Sequence, residues 1–255
     1  YFGVFSSNVM VLESGESSKD LETVYHLWEE MLESGADRNS VLMNLGGGVV
    51  TDIGGFVAST FKRGIEFVNI PTTLLAMVDA SIGGKTGINM GPAKNQVGTF
   101  AWPTSVFILP EMLSTLPKAE LRSGYGECLK HGLLHSQDLF NTIMHLGPEE
   151  LDSDLLESII ELKTEVVNKD PLEQNKRKCL NLGHTIGHAI ESLALHNNKP
   201  ITHGSAVILG LMAELRISEK LLGLDTTYLT QVSDIAKGKY PELQTVQLDR
   251  AHLLR

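Results

Sequence analysis

The spacing of apolar residues divides the chain near residues 110–117. Before this point, short apolar runs at 40–45 and 65–70 predict buried strands. Amphipathic segments at 21–32 and 49–60 predict helices, the first with Leu21, Val24, Trp28 and Leu32 facing inward. After it, nearly all of the sequence has helical periodicity, over 118–134, 148–170, 177–195, 203–222 and 226–236. We therefore predict an α/β domain at residues 1–112 followed by an all-α domain at residues 113–255.

A triple-glycine turn at residues 46–48 connects the first predicted strand to the helix that follows. Strand, turn, helix and strand form the βαβ unit of a parallel sheet. In such a turn, backbone N–H groups at the helix start can face a phosphate. The turn lacks the GxGxxG fingerprint, so a tight turn without a ligand is the simpler interpretation.

Residues 71–87 are rich in Gly, Thr and Ser, and Lys85 lies between glycines. An ammonium group in this position can reach a phosphate or a carboxylate without steric competition. The alternative is a glycine-rich surface loop with a solvated lysine, although such a long loop is unusual in a compact domain.

The segment NLGHTIGHAIE, at residues 181–191, predicts a helix with two histidines one turn apart. His184 and His188 share a face, so their imidazoles can bind one metal ion. Gly183 and Gly187 each weaken the helix, which suggests that something approaches the backbone closely there. A pair of core histidines with local hydrogen bonds remains the alternative.

Glu127 and His203 lie at helical positions elsewhere in the second half. A carboxylate with two imidazoles leaves a coordination position open, as in a catalytic zinc site. Taken alone, Glu127 is also explained as a solvated helix charge. Cys128 and Cys179 are too few for a structural zinc site, and we predict that they are small core residues.

Composition and charge exclude several classes of function for this chain. The 255 residues carry a net charge of −10, which argues against a nucleic-acid partner. We find no apolar run of about 20 residues and no signal peptide, so we predict neither a membrane helix nor secretion. The sparse cysteines favour a reduced, cytoplasmic setting. The chain starts without Met and ends in an apolar pattern at 248–255 that predicts a helix interior, so we expect a piece of a longer protein.

An ordered series of motifs extends from Gly15 to at least Gly210. It comprises LGGGVVTDIGGF, FKRG, IPTTLLAMVDASIGGKTGIN, KNQVGTF, TLPKAELRSGYGECLKHGLL, NLGHTIGHAIE and HGSAV. In these motifs the chain resembles the 3-dehydroquinate synthases, which are sugar phosphate cyclases of the shikimate pathway. The resemblance implies a Rossmann-like NAD-binding domain, an α-helical metal-binding domain, an active site in the cleft between them, and a homodimer.

The resemblance also implies the cofactors and their contacts. A Zn²⁺ ion, or alternatively Co²⁺, would be held by Glu127, His184 and His203. NAD would be contacted by Glu16, Lys19, Gly47, Gly48, Asp52, Thr72, Thr73, Lys94 and Thr115.

The substrate implied by the resemblance is 3-deoxy-D-arabino-heptulosonate 7-phosphate. The enzyme would be a lyase that forms 3-dehydroquinate and phosphate through transient oxidation by NAD, phosphate elimination, reduction and intramolecular aldol closure. His188, Lys130 and Glu173 would be catalytic, with His188 relaying protons. Substrate contacts would come from Arg63, Asp79, Lys85, Asn95, Lys130, Lys163, Arg177 and Asn181.

Three alternatives remain open at this point. Another sugar phosphate cyclase shares these motifs, although Asn181 and His188 within NLGHTIGH favour the dehydroquinate enzyme. A metal-dependent alcohol or glycerol dehydrogenase shares the two-domain plan and the triple-glycine turn. Its small neutral substrate would not require the cations at Lys85, Lys130 and Lys163. The third alternative is a non-catalytic metal- or nucleotide-binding remnant.

Overall fold

The structure, a computed structural model, describes residues 8–91 and 93–245. The chain divides into two compact units. Of the described residues, the α/β unit comprises those up to Thr72 together with those from Ala80 to Leu109, and the helical unit comprises Thr73–Asp79 and those from Pro110 to 245. This organisation confirms the predicted combination of an α/β part and a helical part, whereas the boundary between residues 112 and 113 stays a prediction.

Within the described residues, the α/β unit contains two α-helices and five strands, in the order α1 (Leu21–Glu33), β1 (Val41–Gly46), α2 (Gly48–Thr60), β2 (Glu66–Pro71), β3 (Lys85–Met90), β4 (Ala93–Phe100) and β5 (Ser105–Val106). Strands β1, β2 and β5 form a parallel sheet in the order β1-β2-β5. The register pairs Val41 with Glu66 and Val68 with Ser105. The predicted βαβ unit is therefore present, with Gly47 as the residue before α2.

Helix α1 is capped by Asp20, whose side chain accepts a hydrogen bond from the Thr23 N–H. Its buried face consists of Val24, Leu27 and Met31, which belong to a core cluster that also holds the apolar face of α2. The predicted inward positions Leu21 and Leu32 are wrong, because these side chains are 59% and 58% exposed. The helical period of the apolar residues was predicted correctly, but the buried face of α1 is centred on Leu27 and Met31.

Strand β1 differs from the predicted buried strand. Val41, Met43 and Leu45 are 50%, 62% and 59% exposed, so within the described residues this face of the strand is not covered. The opposite face holds buried Asn44, whose amide Nδ2 donates to Asn69 Oδ1 at 3.0 Å. An apolar run indicates a strand but does not show which of its two faces is covered.

The glycine-rich segment at 71–87 is not a long surface loop. It contains a short π-helix at Ala76–Ala80 and leads into β3, which pairs with β4 as an antiparallel hairpin. The hairpin strands approach closely at Gly98, where an added Cβ would lie 2.0 Å from the Thr86 carbonyl oxygen.

The helical unit contains α3 (Lys118–His135), α4 (Gln137–His145), α5 (Ser153–Lys169), α6 (His184–His196), α7 (His203–Leu222) and α8 (Thr226–Lys239). Helix α7 has the predicted bounds, and α3 and α8 agree with prediction to within three residues. The predicted start of α5 at 148 is wrong, because the helix begins at Ser153 after the Asp152 cap. Helix α4 was not predicted.

The predicted helix at 177–195 is also wrong in its first turns. A 3₁₀-helix at Lys176–Asn181 ends before Gly183, which has a φ of 78°, and α6 begins at His184. The helices enclose a core that includes Tyr125, Leu129 and Phe140. Cys128 is buried in that core as predicted, whereas Cys179 is only partly buried.

None of the helices in the described residues is long and apolar enough to cross a membrane. The helix predicted at 248–255 lies outside the described residues.

Candidate active site

Glycines allow three helices of the helical unit to pack with their backbones in close contact. A Cβ on Gly126 of α3 would lie 2.8 Å from the Gly204 carbonyl oxygen of α7. A Cβ on Gly187 of α6 would lie 3.0 Å from the Ala206 carbonyl oxygen, and one on Gly210 would lie 1.8 Å from that of Gly183. The close neighbour predicted for Gly183 and Gly187 is therefore α7. This packing brings α3 and α6 against the start of α7.

Glu127, His184 and His203 converge where these three helices meet. Glu127 Oε1 lies 3.4 Å from His184 Nε2 and 3.3 Å from His203 Nε2. Ligand atoms at about 2.0–2.2 Å from a tetrahedral Zn²⁺ lie roughly 3.3–3.6 Å from one another. The spacing of the three side chains therefore suits a shared metal ion.

The carboxylate of Glu127 is completely buried, and among the described residues its Oε1 has no hydrogen bond. A buried carboxylate oxygen in this state is costly unless a cation neutralises it. Burial opposes ionisation, but the Lys130 ammonium and the contacts with His184 and His203 together outweigh it and hold the pKa of Glu127 far below its usual value. A negative carboxylate beside two imidazoles is a donor set that fits Zn²⁺ or Co²⁺.

The electrostatics of the two imidazoles differ. Burial lowers the pKa of His184, which favours the neutral ring that a metal needs. Burial also opposes the charge on His203, but contacts with Glu127 and Glu191 outweigh it and raise its pKa to about 10.

His188 lies beside this triad on the exposed surface of α6. Its ring centroid is 5.3 Å from that of His184 and 5.7 Å from that of His203, and one nitrogen of each of these three rings lies within 4.8 Å of the others. Its greater exposure than that of His184 and His203 fits the predicted proton relay. Because its ring lies close to both of these rings, a role as a metal ligand is to be tested.

A second cluster in the helical unit surrounds Asp79. Lys163 Nζ donates to Asp79 Oδ1 at 2.7 Å, and Lys130 Nζ lies 3.8 Å from the same oxygen while also pairing with Glu127. Burial opposes charge on Asp79, but Lys163 and Lys130 lower its pKa well below the usual value. His131 Nε2 lies 3.4 Å from Asp79 and was not identified from the sequence. Both ammonium groups contact Asp79 itself, so a metal is less suited to this cluster.

A loop between α5 and α6 holds three further predicted residues. Asn181 Nδ2 donates to Glu173 Oε1 at 2.5 Å, and Arg177 Nη1 donates to the Pro171 carbonyl at 2.5 Å. The loop is held by Asp170, whose carboxylate accepts hydrogen bonds from the backbone N–H groups of Gln174, Asn175 and Arg177. The structure therefore places Glu173, Arg177 and Asn181 on one ordered segment.

In the α/β unit, Lys19 joins residues predicted to contact NAD and substrate. Its Nζ lies 2.5 Å from Asp52 Oδ2 and 2.5 Å from Asn95 Oδ1, and Lys19 is only 4% exposed. Glu16 Oε1 accepts a hydrogen bond from Asn89 Nδ2, and Asn89 Oδ1 accepts one from the Asn95 N–H. Glu16, Lys19, Asp52 and Asn95 thus form one polar network.

The turn after β1 is the one predicted to contact NAD through Gly47 and Gly48. Gly47 precedes the 13-residue helix α2 and provides no side-chain cap, so N–H groups in the first turn of α2 lack the side-chain acceptor that a cap would supply. The Thr72 N–H donates to the Gly46 carbonyl at 2.9 Å, which places Thr72 at the end of the neighbouring strand β2. These features fit the pyrophosphate of a dinucleotide.

The remaining predicted residues are distributed over both units. Arg63, Lys85 and Lys94 belong to the α/β unit, and Thr73 and Thr115 belong to the helical unit. Arg63 has a φ of 73° in an exposed turn with Lys62. The roles of these five residues stay predictions.

Comparison with known proteins identifies the family. The family model for the N-terminal region of 3-dehydroquinate synthase matches residues 9–123, and that for the C-terminal region matches residues 124–255. The 3-dehydroquinate synthase of Parabacteroides distasonis is 45% identical over 239 residues, which cover 92% of this chain and 68% of that protein. That of Pyrococcus furiosus is 42% identical over 256 residues, covering 96% and 75%.

The chain belongs to the 3-dehydroquinate synthase family. Among solved structures, 2-deoxy-scyllo-inosose synthase in complex with carbaglucose-6-phosphate, NAD⁺ and Co²⁺ has a TM-score of 0.81 and 29% identity, covering 95% of this chain and 67% of that one. The 2-epi-5-epi-valiolone synthase of Streptomyces hygroscopicus, with NAD⁺ and Zn²⁺ bound, has a TM-score of 0.78 and 29% identity, covering 95% and 70%.

The fold also resembles that of more distant enzymes. An iron-containing alcohol dehydrogenase from Thermotoga maritima has a TM-score of 0.61 at 15% identity, covering 93% of this chain and 72% of that one. At this identity the likeness shows a shared fold alone.

The structure adds two residues that sequence reasoning missed, His131 beside Asp79 and Glu191 beside His203. Glu191 lies seven residues after His184, on the same helix face, and this spacing was available in the sequence. His131 directly follows Lys130, but burial beside Asp79 depends on tertiary packing.

Proposed function

We propose that this chain carries 3-dehydroquinate synthase activity, converting 3-deoxy-D-arabino-heptulosonate 7-phosphate to 3-dehydroquinate and phosphate. The observation that carries this proposal is the convergence of Glu127, His184 and His203 next to buried ammonium groups of Lys130 and Lys163. A metal-ligand set beside cations is suited to a substrate with both hydroxyls and anionic groups. Membership of the family supports the specific reaction.

Glu127, His184 and His203 would hold the metal ion. When bound, Zn²⁺ or Co²⁺ supplies a Lewis acid that polarises a substrate hydroxyl or carbonyl oxygen. The protein fixes the ligand geometry through the close packing of α3, α6 and α7, and Lys130 keeps the Glu127 carboxylate charged.

NAD would be bound by the α/β unit, and when bound it supplies a transient hydride acceptor and donor. The turn at Gly47 and Gly48 would bind the pyrophosphate through backbone N–H groups. Glu16, Lys19 and Asp52 form a preorganised polar network for the rest of the cofactor. Thr72, Thr73, Lys94 and Thr115 are the further NAD contacts that we propose.

The substrate would be bound by side chains from both units. In the helical unit, the buried Lys130 and Lys163 form a charged cluster with the partly buried Asp79, and Arg177 and Asn181 lie on the loop held by Asp170. Burial lowers the pKa of Lys163, so an anion from the substrate would stabilise its charged form. Arg63, Lys85 and Asn95 are the proposed contacts from the α/β unit.

His188 and Glu173 are the proposed proton-transfer groups, together with Lys130. The His188 imidazole lies beside the metal ligands and is exposed, so it can exchange a proton with a substrate hydroxyl. Glu173 Oε1 is held by Asn181 Nδ2, which orients the carboxylate. The chain would therefore act largely by positioning charged groups. A cytoplasmic location and a homodimer remain predictions.

The proposed function is tested by following phosphate release and NADH absorbance together, using 3-deoxy-D-arabino-heptulosonate 7-phosphate, catalytic NAD⁺ and Zn²⁺. We expect phosphate release without NADH accumulation, abolished by a chelator and restored by Zn²⁺. Steady NADH accumulation without phosphate would instead indicate a dehydrogenase. Phosphate release from glucose 6-phosphate or sedoheptulose 7-phosphate, but not from the heptulosonate, would indicate another sugar phosphate cyclase.

A further inference from the structure

Glu191 contacts the side of the His203 ring that faces away from Glu127. His203 Nδ1 lies 3.6 Å from Glu191 Oε2, whereas His203 Nε2 lies 3.3 Å from Glu127 Oε1. Glu191 belongs to α6 and His203 begins α7, so the contact joins the two helices that carry the predicted histidine ligands. The Glu191 side chain is only 12% exposed.

His184 shows the same division between its two ring nitrogens. Its Nδ1 lies 3.2 Å from the Leu182 carbonyl oxygen, and its Nε2 lies 3.4 Å from Glu127 Oε1. Each imidazole therefore has Nε2 near Glu127 Oε1 and Nδ1 near a different oxygen, within hydrogen-bond distance for His184 and at ion-pair distance for His203. Histidines that bind metals commonly donate the other ring N–H to a carboxylate or a backbone carbonyl, and this contact fixes both the tautomer and the ring orientation.

We infer that Glu191 is a positioning residue of the metal centre, which acts by holding His203 in the orientation and tautomer that present Nε2 to the metal. Glu191 is not itself a ligand in this arrangement, because its carboxylate contacts the opposite edge of the ring. The inference rests on the proposed function, since it assumes that Glu127, His184 and His203 bind a metal ion.

The two oxygens near the Nδ1 atoms, the Leu182 carbonyl and the Glu191 carboxylate, differ in strength as acceptors. The carbonyl of Leu182 belongs to the backbone and cannot be removed by a side-chain substitution. The carboxylate of Glu191 can be removed, and it carries a negative charge that makes the imidazole a better donor to the metal. The contribution of His203 to metal binding should therefore depend on Glu191.

The test is the Zn²⁺ dissociation constant of the full chain, measured by competition with a chromophoric chelator. We expect Glu191→Ala to weaken Zn²⁺ binding by about 10–100-fold, as is typical of lost outer-shell partners. Glu191→Gln keeps the size and an acceptor oxygen, so we expect a smaller loss. Glu161→Gln, which changes an exposed carboxylate on α5, should leave the affinity unchanged. The visible absorption bands of the Co²⁺-loaded protein should shift in the Glu191 variants and not in the control.

A double-mutant cycle with His203→Ala separates positioning from a general structural role. If Glu191 acts through His203, Glu191→Ala should have almost no effect on Zn²⁺ affinity in the His203→Ala background. Equal losses of Zn²⁺ affinity in both backgrounds would overturn the inference, as would Glu191 variants that bind Zn²⁺ as tightly as the unchanged chain. If the unchanged chain binds no Zn²⁺ or Co²⁺, the proposed metal centre itself fails, which is a distinguishable result.

Discussion

Gly204 of α7 packs directly against Ser123 of α3, so that a Cβ built on Gly204 would lie 1.9 Å from the Ser123 carbonyl oxygen. The Ser123 hydroxyl also accepts a hydrogen bond from the Gly204 N–H at 3.1 Å. Gly204 directly follows His203, and Gly126 on the facing surface of α3 directly precedes Glu127. The same close packing therefore sets the distance between two predicted metal ligands.

Gly204→Ala should destabilise the protein and weaken its metal site together. The added methyl group meets backbone rather than a flexible side chain, so α3 and α7 must move apart, at a cost of about 1–3 kcal/mol or more. Thermal unfolding and Zn²⁺ titration of the same preparation measure both effects.

Gly238→Ala provides the matched control for Gly204→Ala. Gly238 lies in α8, where an added Cβ would meet no atom within 4 Å among the described residues beyond its own stretch of helix, so this substitution should stabilise the helix by about 0.5–1 kcal/mol. An unchanged melting temperature and unchanged Zn²⁺ affinity in Gly204→Ala would contradict the role of this contact.

The elements predicted most accurately are those whose ends are encoded locally. Helix α7 begins at the predicted His203 because Thr202 caps it, accepting from the Ser205 N–H, and it ends at Leu222 before Gly223 in a left-handed conformation. Helix α6 was misplaced because its start depends on tertiary structure. The Gly183 N–H donates to Glu214 Oε2 of α7 at 2.9 Å, a contact that no local pattern reveals.

In the candidate site, too, some features are encoded locally in the sequence and others depend on tertiary structure. Spacing paired His184 with His188. Glu127 and His203 were single candidates from the residue types, and the resemblance to a family then implied the set of Glu127, His184 and His203. The structure places Glu127, His184 and His203 together because glycines on three helices permit close packing, which sequence spacing cannot show. Metal binding by these residues is tested by the Zn²⁺ measurements on the His184 and His188 variants.

His184→Ala should abolish tight Zn²⁺ binding while leaving the fold intact. The His184 ring is partly exposed. The substitution removes one of three predicted ligands, so the remaining pair should hold the ion weakly. Zn²⁺ content after dialysis, with far-ultraviolet circular dichroism as the check on folding, measures this. His196→Ala removes an exposed imidazole at the end of the same helix and should retain Zn²⁺. Retention of Zn²⁺ by both variants would exclude His184 as a ligand.

His188→Ala should reduce turnover without reducing Zn²⁺ affinity. A lost general acid or base typically costs about 10²–10⁴-fold in rate, whereas a lost ligand lowers metal affinity. Comparison of kcat at saturating Zn²⁺ with the Zn²⁺ dissociation constant separates the two roles, which matters because the three imidazoles are mutually close. Turnover near that of the unchanged chain would remove the relay role. A large loss of Zn²⁺ affinity would make His188 a ligand instead.

Asp170→Asn should loosen the loop that carries Glu173, Arg177 and Asn181. Burial opposes charge on Asp170, but hydrogen bonds from the Asn175, Gln174 and Arg177 backbone N–H groups outweigh it and lower its pKa. A carboxyl whose pKa is lowered by folding stabilises the protein above its unfolded pKa, about 3.9, and this contribution disappears as pH falls through the folded value. The variant should therefore melt at a lower temperature than the unchanged chain at pH 7, with the difference narrowing below about pH 5.

Asp154→Asn is the matched control for Asp170→Asn, because it removes the same charge from an exposed position in the first turn of α5. Its melting temperature should differ little from that of the unchanged chain between pH 7 and pH 4. The substrate KM of Asp170→Asn should also rise, since the loop positions Arg177 and Asn181.

A melting difference for Asp170→Asn that stays constant with pH would show that the carboxylate charge does not hold the loop. An unchanged KM would show that the loop does not position the substrate.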